Sequence, residues 1–230
     1  QATSPRLRSY PGPMPRWRSA RAGEGAAAPE PAGEQMPRAS EEAKVVLFYL
    51  EREGSPFREF SNFYRHSQPF QFVLPAFARR AGFPESVPCL FSEKAIMLTK
   101  AALMGDREAF EEIAAAPDPK SCKALGRGVH NFDQDLWMER VEEVAFEVVR
   151  QKFQAEPALR RVLLSTGVSI LAEAAPNDSI WGIGLSMKDG RARDPAHWLG
   201  RNVLGSALLR TRSLLRGGDA APPGAAAAQP

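Results

Sequence analysis

The 230-residue chain is poor in metal- and disulfide-forming side chains, with two cysteines, Cys89 and Cys122, and three histidines, His66, His130 and His197. Two thiols do not make a disulfide framework, and scattered imidazoles do not supply the clustered donors of a zinc site. Free thiols, no metal and no cofactor are expected. Long apolar runs are missing as well: nothing approaches the roughly 18 consecutive apolar residues of a membrane span, and no apolar signal segment opens the chain. A reducing intracellular compartment, cytoplasmic or nuclear, with no membrane partner, is the expectation. Charge of one sign is not in large excess, since 30 Lys and Arg face 27 Asp and Glu for a net charge of +3. That balance leaves a polyanionic partner open without pointing to one.

What is there, 43% hydrophobic and 25% charged residues, fits a soluble globular protein with one core. Its distribution is uneven. Residues 1–42 are rich in Pro, Ala, Gly and Arg, with prolines at 5, 11, 13, 15, 29, 31 and 37 and few aliphatic residues. Such a segment cannot bury enough apolar surface to offset its chain entropy and is expected to be disordered. Its five arginines before Gly23, with no acid among them, make it a candidate nucleic-acid-binding arm, a targeting piece or a solvated spacer. Residues 217–230 read as a second disordered tail, which leaves 43–216 as the folded unit.

Within that unit, KVVLFYLE (44–51) and PFQFVL (69–74) have the β-rich composition of strands and suggest one small sheet near the start. After Pro88 the pattern becomes helical. Ser92 is placed to cap a helix over SEKAIMLTKAALM, Gly105 to end it, and Asp106 to cap the next. An amphipathic segment over 134–153 carries Met138, Val141, Ala145, Val148 and Lys152 at spacings of three and four. Pro157 opens a further helix that stops at Gly167, the run VSILAEA is a strand or an extended entry to a loop, and a last helix spans about 200–215. The fold class is α+β, predominantly helical, a single domain with a small β-sheet.

Four polar stretches are candidates for chemistry. Glu93 sits in the first turn of its helix, where the dipole favours an ionised carboxylate, and Lys100 lies seven residues on along the same face. KALGRG (123–128) places Arg127 between glycines in what reads as a loop suited to phosphate. LAEAAPNDSIWGIG (171–184) brings Glu173, Asp178 and Trp181 onto irregular backbone, where two carboxylates and an aromatic wall suit cleavage of a bond at a sugar carbon. GRNVLG (200–205) opens a helix near Asn202, and helix amino ends bind phosphates. Each alone is also compatible with ordinary packing, capping and turns.

Taken in order, these stretches resemble the NADAR, or YbiA-like, family of N-glycosidases over about 45–215. The resemblance rests on FY at Phe48 and Tyr49, FSNFY (60–64), SEKAIMLTKA, KALGR, LWMERVEEVAFEVVRQKF, LLSTG, LAEAAPNDSIWGIG and GRNVLG. It implies cleavage of an N-glycosidic bond to a phosphorylated ribose. The substrate would be ADP-ribose on a nucleobase such as guanine, or an aminopyrimidine ribosyl phosphate of early riboflavin synthesis. It also implies that Glu93, Asp178 and Trp181 are catalytic. Phe48, Tyr49, Ser61, Asn62, Phe63, Lys100, Arg127 and Asn202 would contact substrate. The chain departs from the family pattern at Lys94, where an aromatic or His is usual, and at Leu98 and Thr99. A non-catalytic ADP-ribose-binding module and a nucleic-acid-binding arm are the competing readings.

Overall fold

The computed structural model describes residues 44–217. Both expected tails lie almost wholly outside the described residues. The order of elements is β1 (Val45–Phe48), β2 (Phe70–Val73), β3 (Ser86–Cys89), α1 (Ser92–Met104), α2 (Arg107–Ala115), α3 (Pro119–Arg127), α4 (Gln134–Ala155), α5 (Pro157–Ser165), β4 (Ile170–Glu173) and α6 (Val203–Gly217). Helix predominates, as the periodicity predicts.

The strands do not form one sheet. β1 pairs in parallel with β4, Val45 opposite Ile170 and Phe48 opposite Glu173, whereas β2 pairs antiparallel with β3, Phe70 opposite Cys89. Proximity in sequence favours a β1–β2 pairing. The parallel alternative wins because both β1 and β4 bury apolar side chains on a second small core of Val45, Leu47, Ala172, Ala174, Ile183 and Leu185. The β1-to-β4 crossover contains five α-helices, far more than the roughly dozen residues that a parallel connection requires.

α4 is the spine. It buries Trp137, Val141, Val144, Ala145, Val148, Val149 and Phe153 at helical spacing, and packs against α1, α6 and β2. Asp133 caps it, accepting the Leu136 N–H at 2.9 Å, and Asp106 caps α2 through the Ala109 N–H at 3.0 Å. Gly105 ends α1 at φ +74°, with its N–H on the Ala101 and Ala102 carbonyls.

Two local expectations are corrected. Ser92 does not cap α1: the extended residue before the helix is Phe91, and the Ser92 hydroxyl is buried without a partner. KALGR is no loop but the last turns of α3, begun by Asp118, which accepts the Ser121 N–H at 3.0 Å, and by Pro119 in the first turn. Gly126 sits inside that helix because α3 lies hard against α1, where a side chain would collide with Met97.

Candidate active site

The parallel pair ends where the site begins. Leaving β1, the chain supplies Tyr49, Leu50 and Glu51; leaving β4, it supplies Glu173, Ala175, Asn177 and Asp178; Ser61, Phe63, Lys123 and Arg127 complete the lining of a cavity of about 320 Å³. Ligands of open parallel sheets bind off the carboxyl ends of the strands, and this cavity lies there. Leu50 is held at φ +65°, a conformation costly for a branched side chain and concentrated at functional sites.

Glu93 adjoins this cavity, 5% exposed, at the amino end of α1. Its N–H donates to the Asn62 carbonyl at 2.9 Å, which ties the FSNFY loop to the helix. Burial pushes the Glu93 carboxyl up to about 7, with repulsion from Asp178 adding to the rise and the cations of Lys123 and Arg127 opposing it. The helix dipole alone argues for a fully ionised group at neutral pH; desolvation outweighs it. Glu173 is raised further, to about 8, by burial first and then by the charges of Asp178 and Glu93, against Lys123. Three carboxyls and two cations therefore form one electrostatic unit, with Lys123 and Arg127 one turn apart on α3.

The 177–202 segment is a hydrogen-bonded scaffold. Asp178 Oδ1 accepts the N–H groups of Ile180 at 3.0 Å and Trp181 at 2.8 Å, so the Asn-Asp turn fixes the carboxyl that lines the cavity. Asn202, at φ +53°, accepts the Glu173 N–H on Oδ1 at 3.1 Å and donates Nδ2 to the Leu171 carbonyl at 2.8 Å. Its amide thus occupies the place of a neighbouring strand residue beside β4. At the start of α6, where the sequence suggests a phosphate site, the Val203 and Leu204 N–H groups are taken by the carbonyls of Ile180 and Trp181.

Of the residues singled out by sequence, the structure brings Tyr49, Ser61, Phe63, Arg127 and Asp178 to the cavity wall and Glu93 beside them. Asn62 and Asn202 act on backbone behind it. Phe48 is enclosed in the core, edge-on to Phe60 at 5.3 Å. The Trp181 ring is half-buried against the main core, outside the cavity lining. Lys100 is not part of the lining either: its ammonium donates to the Gly126 carbonyl at 2.6 Å and lies 4.0 Å from the Phe132 ring centre. The departure at Lys94 is also explained, since Lys94 donates to the Ala114 carbonyl at the end of α2, at 2.8 Å. Leu98 and Thr99 are buried in the interior.

Leu50, Glu51, Ala175 and Asn177 also line the cavity outside the site set that the resemblance implies, as do two charged residues that matter more for chemistry: Lys123, and Glu173, which the loop composition alone had paired with Asp178. Both were visible, Lys123 in the KALGRG stretch and Glu173 at the head of the Asn-Asp loop. Taking 119–127 as a helix would have put Lys123 on the face of Arg127, and taking 170–173 as a parallel strand would have put Glu173 at its carboxyl end.

Comparison with known proteins agrees with this architecture. The NADAR domain model matches residues 47–216. An N-glycosidase of Acanthamoeba polyphaga mimivirus is 36% identical over 121 residues, covering 53% of this chain and 71% of that protein. The protein irg-1 of Caenorhabditis elegans is 36% identical over 126 residues, 54% of this chain and 59% of its own length. A riboflavin biosynthesis protein, PYRR, of Zea mays is 31% identical over 115 residues, 48% of this chain and 17% of that protein. The fold is similar to that of Escherichia coli YbiA, with a TM-score of 0.57 at 24% identity, covering 78% of this chain and 89% of that one. With a family model that takes in β4 and every residue lining the cavity, the chain belongs to the NADAR domain family.

Proposed function

We propose that the chain is an N-glycosidase that hydrolyses the bond between a nitrogenous base and a phosphorylated ribose, foremost ADP-ribose attached to a nucleobase such as guanine. The observation that carries this reading is the charge arrangement of the cavity: Asp178, Lys123 and Arg127 line it together, and the buried Glu93 carboxyl lies close enough to feel the charges of all three. Carboxyls offset the positive charge that develops at the anomeric carbon, and a Lys/Arg pair neutralises a phosphate. The mimivirus relative, named an N-glycosidase, supports the reaction class.

In this scheme Glu93 is the general base. A carboxyl raised to about 7 by burial takes a proton from water far more readily than an ordinary glutamate, and still ionises near neutrality. Asp178, immobilised by two backbone N–H groups, faces the ribose and stabilises its transition-state charge. Phe63, with Lys123 5.5 Å from its ring centre, supplies an apolar wall. Lys123 takes the phosphate role expected of Lys100, which instead holds the end of α3 beside Arg127. A cavity of about 320 Å³ is at the low end of ligand-sized clefts, ~300 to 1,000 Å³. It encloses a ribose with one phosphate, and the remainder of an ADP-ribose extends toward solvent.

The second reading, an aminopyrimidine ribosyl phosphate as substrate, is favoured by that small volume and by the riboflavin biosynthesis protein among the relatives. The test is to incubate the full chain with ADP-ribosylated guanine in an oligonucleotide and, separately, with an aminopyrimidine ribosyl phosphate, and to resolve the products by chromatography. Release of ADP-ribose from the first supports the main reading, and release of base only from the second supports the alternative. Tight ADP-ribose binding without turnover of either would make the chain a binding module and overturn both.

A further inference from the structure

In Glu173 the structural work and the carboxyl are separate. The backbone carries the structure: its N–H donates to Asn202 Oδ1 at 3.1 Å, and its carbonyl accepts the N–H groups of Ala175 and Ile183, both at 2.9 Å. The residue also closes the β1–β4 ladder opposite Phe48. None of these contacts uses the side chain, which lines the cavity with Oε2 fully enclosed and without a hydrogen-bond partner. A buried polar atom left unsatisfied costs about 1–3 kcal/mol, and such an atom in a fold this well hydrogen-bonded calls for an explanation.

We infer that Glu173 is the general acid of the cleavage proposed above, delivering its proton from the enclosed carboxyl to the departing base nitrogen. The inference rests on that reading. As the C1′–N bond breaks, its electron pair goes to the nitrogen, which receives the Glu173 proton. Water attacks C1′ and gives its proton to Glu93. One water is consumed, ribosyl phosphate and free base leave, and solvent returns Glu173 to its acid form while removing the proton from Glu93. A carboxyl oxygen without a partner, as Oε2 is here, is free to carry and donate the proton, and one held by neighbouring donors would stay ionised. The groups around it are Asp178 and Glu93, which favour the protonated form, Lys123, which opposes it, and Glu51 and Tyr49 on the same wall. The order of the two glutamates, Glu93 at about 7 and Glu173 at about 8, agrees with the roles of base and acid.

The deciding experiment compares two leaving groups on one sugar, using the full chain and its Glu173→Gln variant. One substrate is an N-ribosyl aminopyrimidine 5′-phosphate, whose base needs a proton to depart. The other is 4-nitrophenyl β-ribofuranoside 5-phosphate, whose leaving group does not. The expected result is a loss of kcat on the order of 10³-fold on the first, within the range of general acid catalysis, against less than ~10-fold on the second. The alkaline limb of kcat/KM on the first substrate should disappear in the variant. Equal losses on both substrates would overturn the proton-donor role in favour of an orienting one, and an unimpaired N-ribosyl rate would remove Glu173 from the chemistry. Failure of the native chain to cleave these two substrates and ADP-ribosylated guanine alike would instead sink the glycosidase reading and this inference with it. If it cleaves only ADP-ribosylated guanine, a Glu173→Gln rate there within ~10-fold of native overturns the proton-donor role, and a loss on the order of 10³-fold supports it. Should the variant not fold, the Glu173 Cδ resonance of the native protein decides: titration above pH 7 supports the role, and titration near 4.5 overturns it.

Discussion

Glu93, Lys123 and Lys100 show how one side chain acquires its role from its surroundings. Glu93→Gln removes the base while keeping the Asn62 contact, which uses only backbone. Turnover should fall at least ~10³-fold with ADP-ribose affinity within about threefold, a split that turnover assays and titration calorimetry resolve together. The two lysines should separate as cleanly. Lys123→Met should weaken ribose 5-phosphate binding ~10- to 100-fold by removing a charged partner of the phosphate, whereas Lys100→Met should change it less than threefold. Comparable losses from both would return Lys100 to the phosphate site. The raised carboxyls also bear on stability. Each binds protons more tightly in the folded chain than in the unfolded one, so their contribution is fully present below about pH 4.5 and is lost as pH rises through about 7 and 8. Thermal stability should decline between pH 5 and 8, and Glu173→Gln should flatten that decline. A melting temperature that rises across this interval, in native chain and variant alike, would contradict the burial assigned to these groups. The sequence placed both glutamates near helix and strand ends but could not disclose their desolvation, because burial is contributed by elements distant along the chain.

Among the elements, α4 and the start of α6 carry the least obvious duties. Lys152 belongs to the apolar stripe of α4 and is 1% exposed. Burial lowers it to about 7, against the opposing charges of Glu59 and Glu156, and its ammonium donates to the Ser61 carbonyl at 2.9 Å. The FSNFY wall is thereby held at two successive carbonyls, Ser61 by α4 and Asn62 by α1. In Lys152→Met the wall should loosen, seen as at least ~10-fold faster hydrogen exchange at the Phe63 and Glu93 amides. Global stability at neutral pH should change by no more than about 1–3 kcal/mol, because relief of a buried charge offsets the Ser61 carbonyl left without its donor. Uniform acceleration of exchange across α4 would assign the lysine to general packing. At the other end, Asn202→Ala loses both amide bonds to β4 and places a Cβ residue at φ +53° without the local hydrogen bonding that Asn provides. Chemical denaturation should show a loss of about 2–4 kcal/mol. Gly205 makes the same approach possible, as any side chain there would strike the Leu171 carbonyl and the Asn202 amide.

For the molecule as a whole, local signals in the chain determined the number and type of most elements. Asp106 marks a helix start through a side-chain oxygen that needs only its near neighbours, Asp118 and Asp133 do the same for α3, which the sequence presents as a loop, and for α4, and the α4 stripe is readable because helical periodicity is a local property. NADAR membership was likewise legible from the order of the short motifs, since a family is recognised by its sequence. Pairing was not legible: that β1 joins β4 across five helices, and that the strands form two separate pairs, depends on which apolar faces share a core. The site was half legible for the same reason. Motif positions pointed to Glu93, Arg127 and Asp178, but the cavity face of α3, the carboxyl end of β4 and the bond of Lys100 to the Gly126 carbonyl exist only once the helices have packed. Capping and periodicity are contests between near neighbours, settled within one turn of chain. Cavity lining and pKa are settled by what the whole fold brings within a few ångströms, and there the tertiary structure alone decided.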